Sequence, residues 1–572
     1  MWGLIVAALL AASLTGAASA APAEGARGAG GWLAPPEFTA HGGLAQLAVT
    51  DADPGDAVMV VRWVVRDGAL GGELAGTGTV DEQGALFREL TPGAYAVATG
   101  GTIDWVVPVG DPADSTPPQS FYEDQDLVEG FQYVTTRDGT TLSAYVVLPG
   151  PIEDGPYPTV VEYSGYNPSD PVSGLGSLAG GLDPTPLCGA FPILCKAPQP
   201  SSLLAGLHGY AVVGVNVRGT GCSGGAYDFF ETMQVLDGYD VIETVAAQDW
   251  VLGNKVGMVG LSYPGISQLF VAKSNPPSLA AITPLSVYGD TATGILAPGG
   301  LLNTGFATSW ADQVLANAEP YGTGWVRKVI DQGDTECDTN QKLRLQNVDA
   351  TAKARANPYY TDEIAGPLDV RNWVGDIEAA VLLASAFQDE QTGPSFGDLL
   401  GKFDSAESVH QIVYNGLHAD GYSPQILSEW AAFLDLYVGR TVPKNRPALR
   451  GADPAVHVVG LRGQRGIAAV SLGRRLILRA GARPLGGRGA DPGPLRERLR
   501  RSPLPAGGGL GRPRRTSGRS GAPTPSGGAS SPTAASSTRT PTRRGRAWPS
   551  IPTRPWRRPI GGPAAASGRT RR

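Results

Sequence analysis

Histidine is scarce in these 572 residues, cysteine is scarcer, and lysine stops altogether after Lys444. Five histidines and four cysteines leave few ways to assemble a metal centre. No H-E-x-x-H occurs, and none of the cysteine spacings is that of a zinc site, so no metal is expected. Four cysteines are also too few for a disulfide-dense scaffold; Cys188, Cys195, Cys222 and Cys337 suit one or two bridges in an exported protein. Three complete pairings are open, with four free thiols as the alternative. Cys188 with Cys195 would close a small loop and leave Cys222 for Cys337. Long apolar runs are equally rare. One lies at 4–20, LIVAALLAASLTGAASA, and Ala18-Ser19-Ala20 gives it the A-x-A end of a secretion signal over 1–20. It is too short and alanine-rich for an anchor, and no other segment is apolar enough to span a bilayer.

The missing lysine belongs to a charge asymmetry. Residues 451–572 hold 25 arginines and 3 acidic residues, whereas 1–450 hold 21 basic and 50 acidic residues. Such a jump asks for an explanation before it suggests nucleic-acid binding, and no nucleic-acid partner is expected. A chain this long also needs two or three domains. Over 21–117, AVMVVRWVVRDG closes on Asp67-Gly68, and Pro92-Gly93 turns between two strand-like runs, which predicts a small sandwich-like β domain. DPADSTPPQS, residues 111–120, reads as a linker.

From 118 to 440 the pattern changes. TVVEYSG, YAVVGVNVRG, KVGMVG and AAITPLSV are short β-branched runs of the kind buried in a central sheet. DGYDVIETVAAQDW between them keeps helical spacing at Val241, Ile242, Val245 and Ala246. Strands alternating with helices predict an α/β fold with a mostly parallel sheet covered on both faces. Residues 290–375 break the alternation, as a helical cap inserted over a site would. AAVLLASAF and HQIVYNG then resume it, and SPQILSEWAAFLDLYVG ends the domain as an amphipathic helix.

Candidate chemistry sits in KVGMVGLSYPGIS, where Ser262 follows an apolar strand and precedes a run of small residues. A nucleophile elbow reads G-x-S-x-G, a sharp turn that lifts the serine Oγ above the sheet. Here Pro264 stands two after the serine and Gly265 one later; Pro264 is tolerable in a first helical turn, where no N–H is needed. A nucleophilic serine also needs a base and an orienting carboxylate. Of the histidines, His418 comes just after the last strand, in a glycine-containing loop, and Asp389 follows the strand before it, with Glu390 as rival. Ser262, Asp389, His418 is the α/β-hydrolase order.

The segments GYAVVGVNVRGTGCSGGAYDFFE, DGYDVIETVAAQDW, NKVGMVGLSYPGISQLFVA and NGLHADGYSP together resemble the Xaa-Pro dipeptidyl-peptidase (S15) and cocaine-esterase-type (CocE/NonD) serine hydrolases. That family's elbow is G-x-S-Y-x-G, which Gly260, Ser262, Tyr263 and Gly265 match. The resemblance implies an oxyanion hole made by the Tyr263 N–H and a tyrosine hydroxyl after an early strand, Tyr166, with Tyr163 as rival. It also implies a C-terminal jelly-roll-like domain. In its place 441–572 turns to arginine, proline, glycine, serine and threonine tracts with no Phe, Tyr or Trp beyond Trp548 and Trp556. This composition predicts a disordered or frameshifted tail starting near residue 456, the rival being a basic tail for an anionic surface.

The sequence thus reads as a secreted serine hydrolase (extracellular or periplasmic) with an α/β-hydrolase fold, a helical cap and no cofactor. Its substrate is a small ester or a short peptide, between which the sequence does not choose. An inactive hydrolase remnant and an extracellular binding protein are the alternatives, and oligomeric state is not legible.

Overall fold

The computed structural model describes residues 35–171 and 196–442. The predicted leader, Cys188 and Cys195, and the arginine-rich tail beyond 442 lie outside the described residues.

Two small antiparallel sheets come first. One has the order β1-β2-β5 (Thr39–Gly42, Leu47–Thr50, Ala85–Phe87) and the other β4-β3-β6-β7 (Ala69–Thr79, Ala57–Arg66, Gly93–Thr99, Thr102–Val109). Along β3, Val58 and Val60 are buried while Ala57 and Met59 are exposed, the alternation expected when one face covers a core. Leu47, Val49, Tyr95, Val97 and Val107 complete that core. The sandwich is tied to the following domain by a few polar contacts. The Leu86 N–H donates to Gln346 Oε1 at 3.2 Å, Arg88 donates to the Gln346 carbonyl at 3.2 Å, and His41 Nε2 meets the Asp138 carbonyl at 2.9 Å.

The second domain is built on eight strands in the order β15-β14-β13-β12-β10-β11-β9-β8. These are β8 (Gly130–Thr135), β9 (Thr141–Val147), β10 (Tyr157–Ser164), β11 (Ala211–Asn216), β12 (Val251–Leu261), β13 (Leu279–Leu285), β14 (Ala380–Ala386) and β15 (Val409–Tyr414). Every pairing from β11 through β15 is parallel, and the β8–β9 hairpin closes the other edge antiparallel. After α1 (Gln119–Glu123), the helices α2 (Pro200–Leu207), α3 (Thr232–Ala246), α4 (Tyr263–Lys273) and α9 (Pro424–Tyr437) cover it.

The β-branched runs are explained by this two-sided burial. Val161, Val213, Met258 and Ile282 pack on one face against Val241, Ile242, Leu269 and Phe270 of α3 and α4. Their neighbours Val160, Val212, Val259 and Ala281 pack on the other against Trp430, Phe433 and Leu434 of α9. Burying those three large α9 side chains contributes roughly 5–9 kcal/mol of hydrophobic free energy.

Between β13 and β14 the chain leaves the sheet for α5 (Ala307–Ala318), α6 (Gly324–Asp331), α7 (Thr335–Thr339) and α8 (Ala350–Ala356). This helical cap is fastened to the loop after β11. Cys337 is disulfide-bonded to Cys222, with the two Cα atoms 4.7 Å apart. Asn340 Nδ2 donates to the Cys222 carbonyl at 3.0 Å, and Arg344 to the Gly221 carbonyl at 2.8 Å. The same loop is held from below, where Arg218 pairs bidentately with Asp237 at 2.6 Å and reaches Asp138 at 3.1 Å. Among the described residues no helix is long and apolar enough to cross a membrane.

Candidate active site

Ser262 stands between β12 and α4 with φ 69° and ψ −128°, a left-handed conformation that costs a non-glycine residue about 1–3 kcal/mol. The flanking glycines make that turn possible. A Cβ on Gly260 (φ 154°) would lie 2.4 Å from Pro264, and one on Gly265 would lie 2.6 Å from the Leu285 carbonyl oxygen. The late glycine of G-x-S-x-x-G is therefore the residue that lets α4 pack against β13. Pro264 falls in the first turn of α4. The Ser262 carbonyl accepts from the Gly265 and Ile266 N–H groups at 2.8 Å, which starts the helix. Tyr263, as the first helical residue, has an N–H with no acceptor inside α4.

Asp389 lies in the loop after β14. One of its oxygens accepts from the Gln391 and Thr392 N–H groups at 2.8 and 2.9 Å, and the other from His418 Nδ1 at 2.8 Å. Burial pushes this carboxyl up, but the His418 bond and charge and the two amides outweigh it and hold it below the ordinary carboxylate value. A carboxylate only accepts, so His418 Nδ1 carries the proton and Nε2 of the neutral ring is left as an acceptor. That Nε2 is buried and has no hydrogen-bond partner among the described residues. Glu390, the rival acid, turns the other way and accepts the His418 backbone N–H at 2.9 Å.

The tie between these groups and Ser262 runs through β13. The Ser262 N–H donates to the Leu285 carbonyl at 3.0 Å, and the next residue, Ser286, donates its hydroxyl to the His418 carbonyl at 2.8 Å. His418 is thus anchored one strand away from the elbow. Nothing in the sequence marked Ser286 for this task, because a serine at a strand end carries no motif.

Tyr166 follows β10, and its hydroxyl lies 3.4 Å from Ser262 Oγ. The indole N–H of Trp310, on cap helix α5, donates to that hydroxyl at 3.1 Å. An indole N–H can only donate, so the Tyr166 oxygen accepts from it and keeps its own hydrogen for the Ser262 side. Tyr163, two residues inside the strand, is buried and donates to the Gln234 carbonyl at 2.9 Å. The Tyr263 side chain is also buried; its hydroxyl accepts from Gln234 at 2.8 Å, and burial raises it well above the ordinary tyrosine range. Its ring is fully buried and packs 4.9 Å from Phe230 between centroids.

A cavity of about 40 Å³ opens beside Ser262, with Phe229, Tyr263, Tyr288, Ile295, Phe306 and Trp310 among its walls. The cap supplies several of these, and nothing in GFATSWADQVL announced them. A larger cleft of about 490 Å³, edged by Lys255, Asn275, Glu378 and Arg440, lies at the opposite, N-terminal ends of β12–β14. Ligands of open α/β sheets bind at the carboxyl ends of the strands, so the small cavity is the relevant one. Among the described residues no group of three or more His, Cys, Asp or Glu side chains is placed to hold a metal ion.

Residues 138–420 match the X-Pro dipeptidyl-peptidase (S15) family. Proteins of Mycobacterium bovis and Mycobacterium tuberculosis, both named as serine esterases, are each 28% identical to it over 248 residues. The alignment covers 42% of this chain and spans only 37% of each relative's length. A CocE/NonD family hydrolase from Staphylococcus aureus superposes with a TM-score of 0.42 at 22% identity, covering 55% of this chain and 51% of that one. An aminopeptidase from a Thaumarchaeota archaeon gives a TM-score of 0.42 at 16% identity, covering 58% and 57%. Over residues 138–420, within its α/β domain, the chain is thus similar to the X-Pro dipeptidyl-peptidase (S15) family.

Proposed function

We propose that the protein is an exported serine hydrolase that works through an acyl-enzyme. The observation that carries this reading is the Asp389–His418 pair, whose free Nε2 is buried one strand away from a serine held at positive φ. Ser262 Oγ attacks the acyl carbon while His418 Nε2 takes its proton. Asp389 holds the Nδ1–H tautomer and balances the imidazolium that forms. The tetrahedral oxyanion is met by the Tyr263 N–H and the Tyr166 hydroxyl, two donors already fixed before the reaction begins. His418 then returns its proton to the leaving group, and water repeats the sequence on the acyl-enzyme to release the acid.

Export rests on the signal-like run over 1–20 and accords with the Cys222–Cys337 bridge, since such bridges persist in oxidising compartments. A fluorophosphonate probe tests the central claim. The full chain should be labelled at Ser262, and Ser262→Ala should lose labelling and ester hydrolysis together while keeping its circular dichroism. A folded, unlabelled wild type would instead favour an inactive remnant or a binding protein.

A further inference from the structure

The walls beside Ser262 carry information about substrate that the triad does not. We infer that the cavity is an acyl pocket for short uncharged groups of two to four carbons. The favoured substrates are then neutral short-chain esters rather than dipeptidyl amides bearing a free α-ammonium. The inference rests on the serine-hydrolase reading above and narrows it to a substrate class.

Three observations support it. The first is position. His418 must deliver a proton to the leaving group, so the leaving group lies on the His418 side. The cavity is bounded by Ser262, Tyr263, Phe229, Ile266, Thr392 and the cap and does not include His418, which leaves it for the acyl arm.

The second is size. A water-sized group needs roughly 10–15 Å³ of such space, so about 40 Å³ holds about three of them, the length of a butyryl chain beyond its carbonyl.

The third is charge. No charged side chain lines the cavity. Three carboxylates on the segments that form its walls are engaged, and Glu231, which caps the Met233 N–H with one oxygen and holds the other buried without a partner, does not line the cavity. Asp228 pairs with Lys353 at 2.8 Å and accepts the Phe229 N–H at 2.8 Å. Asp290 pairs with Arg371 at 3.0 Å and caps the Ala292 and Thr293 amides. Asp312 accepts from Thr351 at 2.8 Å. An ammonium group placed among Phe229, Ile295, Phe306 and Trp310 would give up its water and meet no charged side chain on those walls, so binding would penalise it heavily.

The test uses the full chain, first shown to react with the fluorophosphonate probe, and p-nitrophenyl esters of acetate, butyrate, octanoate and 2-aminobutyrate. Glycyl-prolyl-p-nitroanilide serves as the peptidase substrate. Butyrate and 2-aminobutyrate differ by one ammonium at equal chain length, and the ammonium makes the ester chemically more reactive, so any loss is the pocket's doing. We expect kcat/KM to be highest for acetate or butyrate, at least 30-fold lower for octanoate and at least 100-fold lower for 2-aminobutyrate. Ile295→Ala, which deepens the cavity, should move the optimum towards octanoate. A labelled enzyme that prefers octanoate, 2-aminobutyrate or the dipeptidyl anilide would overturn this inference and leave the hydrolase reading standing. No labelling at all would overturn both.

Discussion

Tyr166→Phe isolates one atom of the proposed mechanism. The substitution removes a hydroxyl and keeps the ring, which packs 5.7 Å from Tyr263 and 6.4 Å from Trp310 between centroids. In the free enzyme the hydroxyl makes only a long contact with Ser262, 3.4 Å, so little ground-state binding is lost with it. Its main partner should be the oxyanion, which exists only along the reaction path, and the loss should fall on kcat rather than KM. Removing one such donor costs about 2.7–4 kcal/mol of barrier, or roughly 10²–10³ in kcat. A second effect is structural. The Trp310 N–H loses its acceptor in a half-buried position, which should lower stability by about 1 kcal/mol, the lower end for an unsatisfied donor. Stopped-flow and steady-state hydrolysis of p-nitrophenyl butyrate should therefore show kcat down about 100-fold or more, with KM changed less than about threefold. Tyr163→Phe is the control. It breaks a core bond to Gln234 and should cost about 1 kcal/mol of stability with kcat nearly unchanged. A Tyr166→Phe enzyme within threefold of wild-type kcat, or a larger kcat loss in Tyr163→Phe, would refute the assignment of the hydroxyl.

Asp389→Asn should keep the shape of the loop but favour the wrong imidazole tautomer, lowering kcat by about 10⁴-fold in the same assay. It should also remove a pH-dependent share of stability. Because the folded carboxyl is held below the unfolded value of 3.8, its contribution is present above that value and fades as pH falls through the folded one, so the stability gap between variant and wild type should close in acid. Glu162 gives the opposite sign. Buried beneath Ser202, it is pushed up from 4.5 to about 7, so the folded state favours its protonated form and loses stability as pH rises through that window. Glu162→Gln should accordingly raise the unfolding midpoint at pH 8, by up to roughly 3 kcal/mol in stability, and have little effect at pH 4. Replacing Cys222 and Cys337 together by serine opens a loop with a sequence separation of 115, worth about 4–5 kcal/mol in the chain-entropy model, and should lower the calorimetric midpoint accordingly. A reducing agent that lowers the wild-type midpoint but not that of the double variant would check the same bond.

The alternation of strands and helices was legible because a sheet buried on both faces demands adjacent apolar residues. Val160 and Val161 point to opposite cores, so the run reads as β-branched throughout. The elbow was legible for a local reason as well: Gly260 and Gly265 are required by contacts within a few residues or against the next strand. The order of Ser262, Asp389 and His418 along the chain was open to reading, but the groups they meet depend on direction. Asp389 and Glu390 are adjacent carboxylates after one strand, and only the path of that loop decides that the first meets the imidazole while the second meets a backbone amide. Tyr163 and Tyr166 differ in the same way, one inside the strand and buried, the other past its end and facing Ser262. Trp310 and the cavity walls left no trace in the sequence at all. Trp310 reaches Tyr166 across 144 residues of chain, from a cap whose seat is set by the Cys222–Cys337 bridge and by hydrogen bonds to the loop after β11. Local sequence determined the strand-turn-helix at Ser262, because backbone conformation and strand burial are short-range matters. Which groups surround Ser262, and how much room they leave, was decided by long-range packing alone.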